Sequence, residues 1–219
     1  MEERGLSISF DLDGTLTDTS FVDAVWNEGI PREVARIRGL SLSDAKDMCA
    51  MEYAKVGELS IRWYKLDYWL GLFGLGSLDT DALILKFVDS IRLYEDAIPV
   101  LDECKKQGLK MVVFSNATRP FLDREVEATG LSQYIDTFIS VPDDWGMIKA
   151  DKKAFARLQT MFKTPFVHAG DHLYSDYEVP KSIGIEAYHI WRGSGPRLES
   201  SLYGLTGFMD RVLRAQKRT

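Results

Sequence analysis

The chain has 219 residues, of which 45% are hydrophobic, and its formal net charge is −6. This hydrophobic share is enough for a packed core and excludes the intrinsically disordered class. The negative charge provides no basic field for nucleic acid or an anionic membrane, so we expect one globular domain, or one domain with an insertion.

The first predicted strand is marked by apolar residues that alternate at Leu6, Ile8 and Phe10, and it ends where Asp11 and Asp13 begin a loop. The following stretch, residues 18–92, is predicted to be helical and contains no convincing strand. It contains four candidate helices. The first has Pro31 in its first turn, and the second opens at Ser43. The third extends from Ile61 to Phe73, and the fourth from Asp79 to Leu93.

Strands and helices alternate from Ala97 onward. The predicted helices cover 97–107, 119–129, 151–162, 176–183 and 205–215, and the predicted strands cover 110–114, 137–141, 166–170 and 186–190. This alternation predicts an α/β fold, a Rossmann-like parallel sheet with helices on both faces. We expect a discontinuous core of residues 1–17 and 93–219, with residues 18–92 as a helical insertion.

Polar residues suited to catalysis follow the predicted strands at their carboxyl ends, where open α/β sheets bind ligands. They are Asp11 and Asp13 after the first strand, Ser115 and Asn116 after the second, Lys149 before a helix, and Asp171 and Asp176 after the strand 166–170. Carboxylates are costly to hold near apolar surface unless they are paired, hydrogen-bonded or metal-bound. The sequence therefore predicts a functional site at this edge of the sheet.

These residues resemble, in the same order, the four motifs of the haloacid dehalogenase superfamily of phosphotransferases and hydrolases. The matches are Asp11 to Thr15 for the Asp-x-Asp-Gly-Thr motif, Ser115 for the second motif, Lys149 for the third, and Gly170, Asp171 and Asp176 for the fourth. The segment around Lys149 departs from the pattern because it lacks the two prolines often found there. The resemblance spans residues 10–176 and favours the phosphatase-like branch.

The resemblance implies that the carboxylate of Asp11 attacks phosphorus and forms an aspartyl-phosphate, which divides one difficult displacement into two easier ones. Asp13 then donates a proton to the leaving oxygen and later takes one from water. Lys149 supplies a fixed positive charge that stabilises the transferring group.

The implied cofactor is Mg²⁺, and the implied substrate is a small phosphorylated metabolite. The substrate phosphate is then bound by Ser115, Asn116 and Lys149. The expected metal ligands are Asp11, the backbone carbonyl of Asp13, and Asp171, with Asp176 as a further ligand or as a residue that supports one.

Asp13 also separates two chemistries within the superfamily. Members that displace halide from carbon resemble this chain at the nucleophilic Asp11, but they generally lack an acid two residues later and need no metal. We therefore predict a Mg²⁺-dependent phosphatase. The alternatives are a phosphosugar mutase, a metal-independent 2-haloacid dehalogenase, and a non-enzymatic binding protein on the same scaffold.

The resemblance further implies that the insertion 18–92 is a small helical cap that closes over the site. Four aromatic residues at helical spacing are expected mainly to form the core of this cap: Tyr64, Tyr68, Trp69 and Phe73. His168 is expected to be a buried histidine with satisfied hydrogen bonds. His172 is either a substrate contact or an incidental loop residue.

Location is predicted from what the sequence lacks. No apolar run reaches membrane-spanning length, and Met1 to Arg4 lead directly into the first strand, which leaves no room for a signal peptide. Cys49 and Cys104 lack the spacing of a zinc site or a redox motif. We expect a cytoplasmic protein with no nucleic-acid or membrane partner; the sequence does not distinguish a monomer from a homodimer.

Overall fold

The centre of the protein is a parallel sheet, seen in a computed structural model that describes residues 6–162 and 164–216. Its strands are β1 (Ser7–Phe10), β2 (Lys110–Ser115), β3 (Thr137–Ser140), β4 (Phe166–Gly170), β5 (Glu186–Trp191) and β6 (Leu202–Tyr203). Their spatial order is β3-β2-β1-β4-β5-β6, and every neighbouring pair is parallel. The predicted Rossmann-like α/β fold is confirmed.

Helices connect the strands. They are α1 (Ser20–Ala24), α2 (Ile30–Arg38), α3 (Leu42–Val56), α4 (Ile61–Tyr64), α5 (Leu66–Phe73), α6 (Thr80–Leu85), α7 (Ala97–Lys106), α8 (Arg119–Thr129), α9 (Val141–Asp144), α10 (Lys152–Met161), α11 (Val179–Lys181) and α12 (Gly204–Gln216). Two segments are π-helical, Val25–Gly29 and Leu173–Glu178, and two are 3₁₀ turns, Val88–Ser90 and Leu131–Gln133.

Both faces of the sheet are buried, because successive side chains of a strand point to opposite faces. Met111 and Val113 of β2 pack in one apolar cluster with α7 and α12, whereas Val112 and Phe114 pack in another cluster with α10 and α11. Helices therefore cover the sheet on both sides, as the alternating sequence predicts.

The helices between Ser20 and Ser90 share an apolar cluster of their own. Its largest side chains include the fully buried Trp69 and Phe73, and it continues onto the sheet layer through Phe121 of α8. This cluster supports the proposal that residues 18–92 form a cap on a core of residues 1–17 and 93–219.

Pro31 lies in the first turn of α2, as predicted, but α2 continues directly from the helical segments before it. Helical backbone extends from Ser20 to Arg38, and a π-helical segment lies directly before α2. Proline inside a helix lacks an amide donor, and its ring clashes with the carbonyl four residues earlier. The wider π turn accommodates Pro31 without ending the helix.

Two predicted cap helices are shorter than expected. The helix expected over 61–73 is interrupted at Lys65, whose backbone is extended (φ −89°, ψ 105°), and the indole of Trp69 donates a hydrogen bond of 2.9 Å to the Trp63 carbonyl there. The helix expected over 79–93 ends at Leu85 and is followed by a 3₁₀ turn.

Three further differences lie in the core. The helix expected over 176–183 is a π-helical segment followed by the short α11, and the short elements α9 and β6 are additional to the predicted ones. The four residues of α9 cover about one helical turn, and β6 has only two residues, so neither element repeats a period that the sequence could show. No helix in the described parts of the chain is both long and apolar enough to span a membrane.

Candidate active site

The predicted polar residues meet at the carboxyl edge of three adjacent strands, β2, β1 and β4. Asp11 directly follows β1, and its amide donates a hydrogen bond of 2.9 Å to the carbonyl of Ala169 in β4. Ser115 ends β2, and Asp171 directly follows β4. All three line one cleft, because the ends of neighbouring parallel strands lie side by side.

A tight loop after Asp11 brings Asp13 into the same cleft. The carbonyl of Leu12 accepts the amides of Thr15, Leu16 and Thr17, which folds the chain back on itself. Gly14 has φ +77°, and a Cβ there would overlap the Asp171 carboxylate. Glycine is therefore required at this position both for its backbone conformation and for the close approach of Asp171.

Lys149 is buried between two carboxylates. Its Nζ lies 2.6 Å from Oδ1 of Asp11 and 2.6 Å from Oδ1 of Asp176. Burial would lower the pKa of Lys149, but the charges of Asp11 and Asp176 outweigh this effect and raise it. The ammonium is thus held charged beside Asp11.

Two residues of the β2 loop have ordered hydrogen bonds that bear on their predicted contacts with phosphate. The side-chain oxygen of Asn116 accepts the backbone amide of Lys149 at 2.8 Å, so Asn116 also positions the lysine. The Ser115 hydroxyl accepts the Ala117 amide at 3.0 Å, which leaves the hydroxyl proton available for a ligand oxygen.

Asp176 is fully buried, and each of its carboxylate oxygens has a hydrogen-bond or ion-pair partner. Oδ1 contacts Lys149 and also His168 Nε2 at 3.1 Å, and Oδ2 accepts the backbone amide of His172 at 3.1 Å. Burial would raise the pKa of Asp176, but Lys149 and the His168 hydrogen bond outweigh it and hold the pKa below the ordinary value. Of the two roles predicted for Asp176, this arrangement favours support of the site over metal ligation.

The histidines differ in their surroundings. His168 is fully buried, with Nδ1 at 2.7 Å from the Ser9 hydroxyl and Nε2 on Asp176, as expected for a satisfied core histidine. His172 is partly exposed at the cleft, and its Nε2 lies 3.2 Å from the Glu58 carboxylate on the helical insertion. His172 therefore connects the β4 loop to the insertion.

The carboxylates can accommodate a cation. Oxygen atoms of Asp11, Asp171 and Asp176 lie within 4.8 Å of one another. Burial, and next the charge of Asp11, raise the pKa of Asp171 well above its ordinary value. A bound Mg²⁺ would reduce the repulsion between these crowded carboxylates, and carboxylate oxygens are ligands that it prefers. The residues present therefore fit the predicted metal.

Asp13 has a perturbed carboxyl group. Burial and then the charge of Asp11 raise its pKa to about 7, while hydrogen bonding with Glu125 opposes the rise. Among the described residues, no donor reaches the buried Oδ1 of Asp13. A carboxyl group with this pKa exchanges protons near neutral pH, which suits a general acid and base.

Glu125 is a site residue that the sequence analysis missed. It is fully buried on α8, accepts a hydrogen bond of 2.6 Å from the Thr17 hydroxyl, and contacts Asp13. Burial, followed by the charge of Asp13, raises its pKa well above the ordinary value. The available signal is the helical spacing of Glu125 from Phe121 and Leu122, which places an acid on the apolar face of α8.

His189 is a second missed residue. It lies buried in β5, where its Nε2 donates to the backbone carbonyl of Asp171 at 2.8 Å and its Nδ1 lies 2.7 Å from the Ser201 hydroxyl. These contacts fix the loop that presents Asp171. Nothing in the local sequence indicates them, because the partners come from separate segments.

The cleft has a volume of about 490 Å³ and lies between the sheet edge and the helical insertion. Of the four aromatic residues expected in the cap core, Trp69 and Phe73 are buried there, and Tyr68 packs edge-on against Trp69 at 5.0 Å. Trp69 also lines the cleft, as does Tyr64. Burial raises the pKa of Tyr64 to about 12, opposed by the nearby charge of Lys149. Tyr64 therefore belongs to the cleft rather than to the cap core alone.

Comparison with known proteins adds independent findings. A family model described as haloacid dehalogenase-like hydrolase matches residues 7–184. The chain is similar to the GMP/IMP nucleotidase YrfG of Escherichia coli (strain K12), with 29% identity over 147 residues that cover 67% of this chain and 64% of that protein. The chain thus aligns with less than two thirds of that relative's length.

Two solved structures show the same fold. A HAD phosphatase from Thermococcus onnurineus has a TM-score of 0.82 and 23% identity, covering 94% of this chain and 97% of that one. The L-2-haloacid dehalogenase RSc1362 has a TM-score of 0.63 and 20% identity, covering 95% of this chain and 99% of that one.

Proposed function

The chain belongs to the haloacid dehalogenase-like hydrolases, and we propose that it is a Mg²⁺-dependent phosphatase of small phosphorylated metabolites that works through an aspartyl-phosphate at Asp11. The observation that carries this proposal is the second acid. Asp13 lines the same cleft as Asp11, and its pKa of about 7 suits proton transfer to an ester oxygen. Displacement of halide from carbon does not require such an acid, because halide departs without being protonated.

In the first half of the proposed reaction, an oxygen of Asp11 forms a bond to phosphorus while the bond from phosphorus to the leaving oxygen breaks. Asp13 donates its proton to that leaving oxygen, which departs as an alcohol. In the second half, Asp13 takes a proton from water as the water oxygen attacks phosphorus. Inorganic phosphate is released, and the Asp11 carboxylate is restored.

The surrounding residues hold the phosphoryl group. Lys149, fixed between Asp11 and Asp176, offsets negative charge on the phosphoryl oxygens, and Ser115 and Asn116 orient the group. The expected metal ligands are carboxylate oxygens of Asp11 and Asp171 with the Asp13 carbonyl, and bound Mg²⁺ would neutralise charge on the transferring oxygens.

The E. coli relative suggests where to look for a substrate. Its name describes a nucleotidase acting on GMP and IMP, so nucleoside monophosphates are the first esters to test.

A cytoplasmic setting remains a prediction, which rests on the absence of paired cysteine motifs; Cys49 and Cys104 are free thiols.

The test is a phosphate-release screen over a panel of phosphomonoesters with and without Mg²⁺. Asp11→Asn and Asp13→Asn are compared with Asp67→Asn, a matched change at an exposed aspartate on α5. We expect Mg²⁺-dependent release that Asp11→Asn loses, that Asp13→Asn retains only at a strongly reduced rate, and that Asp67→Asn retains in full. Acid-quenched protein incubated with a turned-over ester should carry one phosphoryl group, and Asp11→Asn should carry none.

Two results would overturn the proposal. Folded, Mg²⁺-loaded protein that releases no phosphate from any ester is the first. Chloride release from 2-chloropropionate that persists in EDTA is the second, and it would establish the dehalogenase alternative. Conversion of a hexose phosphate to its isomer, without free phosphate, would instead identify a mutase.

A further inference from the structure

The first helical stretch of the cap presents one face to the cleft. Five residues at spacings of three and one line it: Thr19, Val22, Asp23, Trp26 and Asn27. This periodicity places them on one side of the helix that begins directly after the catalytic loop. The face lines the same cleft as Asp11 and Asp13, and we expect the leaving group of a phosphate ester to contact it.

The apolar part of this surface is flat and held in place. Trp26 stacks on Phe121 with ring centroids 5.9 Å apart and an interplanar angle of 12°. Tyr53 meets Trp26 edge-on at 5.8 Å, and its hydroxyl donates to the Trp26 carbonyl at 3.2 Å. All three line the cleft, so the Trp26 surface is fixed before a ligand arrives.

The polar part of the same surface is negative. Both oxygens of Asp23 are held by neighbours, one by the Thr19 hydroxyl at 2.6 Å and the other by the Asn27 amide at 3.3 Å. Glu58 adds a second carboxylate at the cleft, next to His172. Lys149 is the one lysine or arginine among the described residues lining the cleft, and it is engaged by Asp11 and Asp176.

We propose that the cap side of the cleft selects monophosphate esters with a planar, aromatic and uncharged leaving group. The proposal rests on the proposed phosphatase function. Trp26 is the stacking surface, and the Asp23 carboxylate repels a leaving group that carries a second negative charge. A planar ring gains contact with the fixed indole, whereas a carboxylate or second phosphate faces Asp23 and Glu58 without a free cation. The volume of about 490 Å³ is suited to such a molecule.

Three esters of matched reactivity test the proposal, because all three leave as primary alcohols: benzyl phosphate, cyclohexylmethyl phosphate and 4-carboxybenzyl phosphate. Phosphate release with Mg²⁺ gives kcat/KM for each. We expect benzyl phosphate to exceed cyclohexylmethyl phosphate about tenfold through stacking. It should exceed 4-carboxybenzyl phosphate by a similar factor, about tenfold, through charge repulsion.

Variants assign each preference to its residue. Trp26→Leu keeps an apolar side chain without a ring, and it should bring the benzyl to cyclohexylmethyl ratio to about one. Asp23→Asn keeps the size of the side chain: its amide oxygen can accept from Asn27, and its amide nitrogen can donate to the Thr19 hydroxyl. It should raise the relative kcat/KM of the carboxylated ester. Tyr203→Leu and Asp67→Asn, at exposed positions outside the cleft, are the matched controls and should leave both ratios unchanged.

The outcomes separate this proposal from the function on which it rests. Phosphate release with equal kcat/KM for the three esters would overturn the selection and leave the phosphatase intact. Preferences that persist in Trp26→Leu and Asp23→Asn would show that other residues cause them and would overturn these assignments. Absence of release from every ester would overturn the phosphatase, and this proposal with it.

Discussion

Replacing Lys149 with methionine tests the electrostatics of the site most directly. Lys149 Nζ is 2.6 Å from both Asp11 and Asp176, and all three side chains are nearly inaccessible to solvent. Methionine has a similar length and fills the space without a charge. The variant therefore leaves Asp11, Asp171 and Asp176 clustered together with no buried cation between them.

The expected loss is large, because removal of one partner from a buried ion pair leaves an uncompensated charge at a cost of about 3–5 kcal/mol. For a chain of this length, 1 kcal/mol shifts Tm by about 2–4 °C, so Lys149→Met should lower Tm by about 6–20 °C. The stability of a typical domain is about 5–15 kcal/mol, so the variant should still fold.

The assay is urea unfolding of wild type and variant between pH 8 and pH 5, without and with Mg²⁺. In the variant, the carboxylates lack their cation, so their pKa values rise and the folded state binds more protons than the unfolded state. Stability of the variant therefore increases as the pH falls, and the gap to wild type narrows. Added Mg²⁺ should narrow the gap as well, because the variant's carboxylates have lost the Lys149 charge and should bind the cation more tightly than those of wild type.

The matched control is Lys55→Met. Lys55 pairs with Glu52 at 2.6 Å on an exposed face of α3, and such a pair contributes about 1 kcal/mol or less. The reasoning is refuted if Lys149→Met costs no more than this control, or if its cost is independent of pH. Either result would mean that the buried carboxylates do not depend on Lys149 for their charge balance.

Three further predictions concern the acids of the site. Asp13→Asn should lower kcat about 10²–10⁴-fold in phosphate-release assays. It should also abolish the fall in wild-type kcat above about pH 7, which is expected because the donor must be protonated. In a Mg²⁺ titration, Asp171→Asn should raise the Mg²⁺ concentration for half-maximal activity about 10–100-fold, and an unchanged requirement would exclude Asp171 as a ligand. In urea unfolding without Mg²⁺, the same variant should be more stable than wild type. The raised pKa of Glu125 means that the folded state retains a proton above pH 4.5, so wild-type stability falls as the pH rises. Glu125→Gln should therefore gain stability relative to wild type between pH 4.5 and pH 8 in thermal unfolding, and a constant difference would refute this.

Much of the fold was predictable from the sequence, because strand and helix periods are local. The helix expected over 119–129 coincides with α8, and the strand expected over 166–170 coincides with β4. Errors occur where a distant contact or a special residue overrides the period. The break at Lys65 accompanies an indole hydrogen bond between Trp69 and Trp63, and a π-helical segment, Val25–Gly29, joins α2 to the helix before it.

The candidate site was predictable to the same extent and for a related reason. Residues that follow parallel strands converge at one edge of the sheet, so Asp11, Ser115 and Asp171 are expected together before their distances are known. The position of Asp13, two residues after Asp11, is the sequence feature from which we predict phosphoester rather than halide chemistry.

By itself, then, the sequence determined the parallel α/β core, the family and the residues at the strand ends. Only the tertiary structure decided which side chains support them, because those contacts join distant segments. Glu125 contacts Thr17 across 108 positions, and His168 contacts Ser9 across 159. The same holds for the cleft wall, where Trp26 of the helical insertion stacks on Phe121 of α8. Local periodicity gives no information about such pairs; packing of the folded chain creates them.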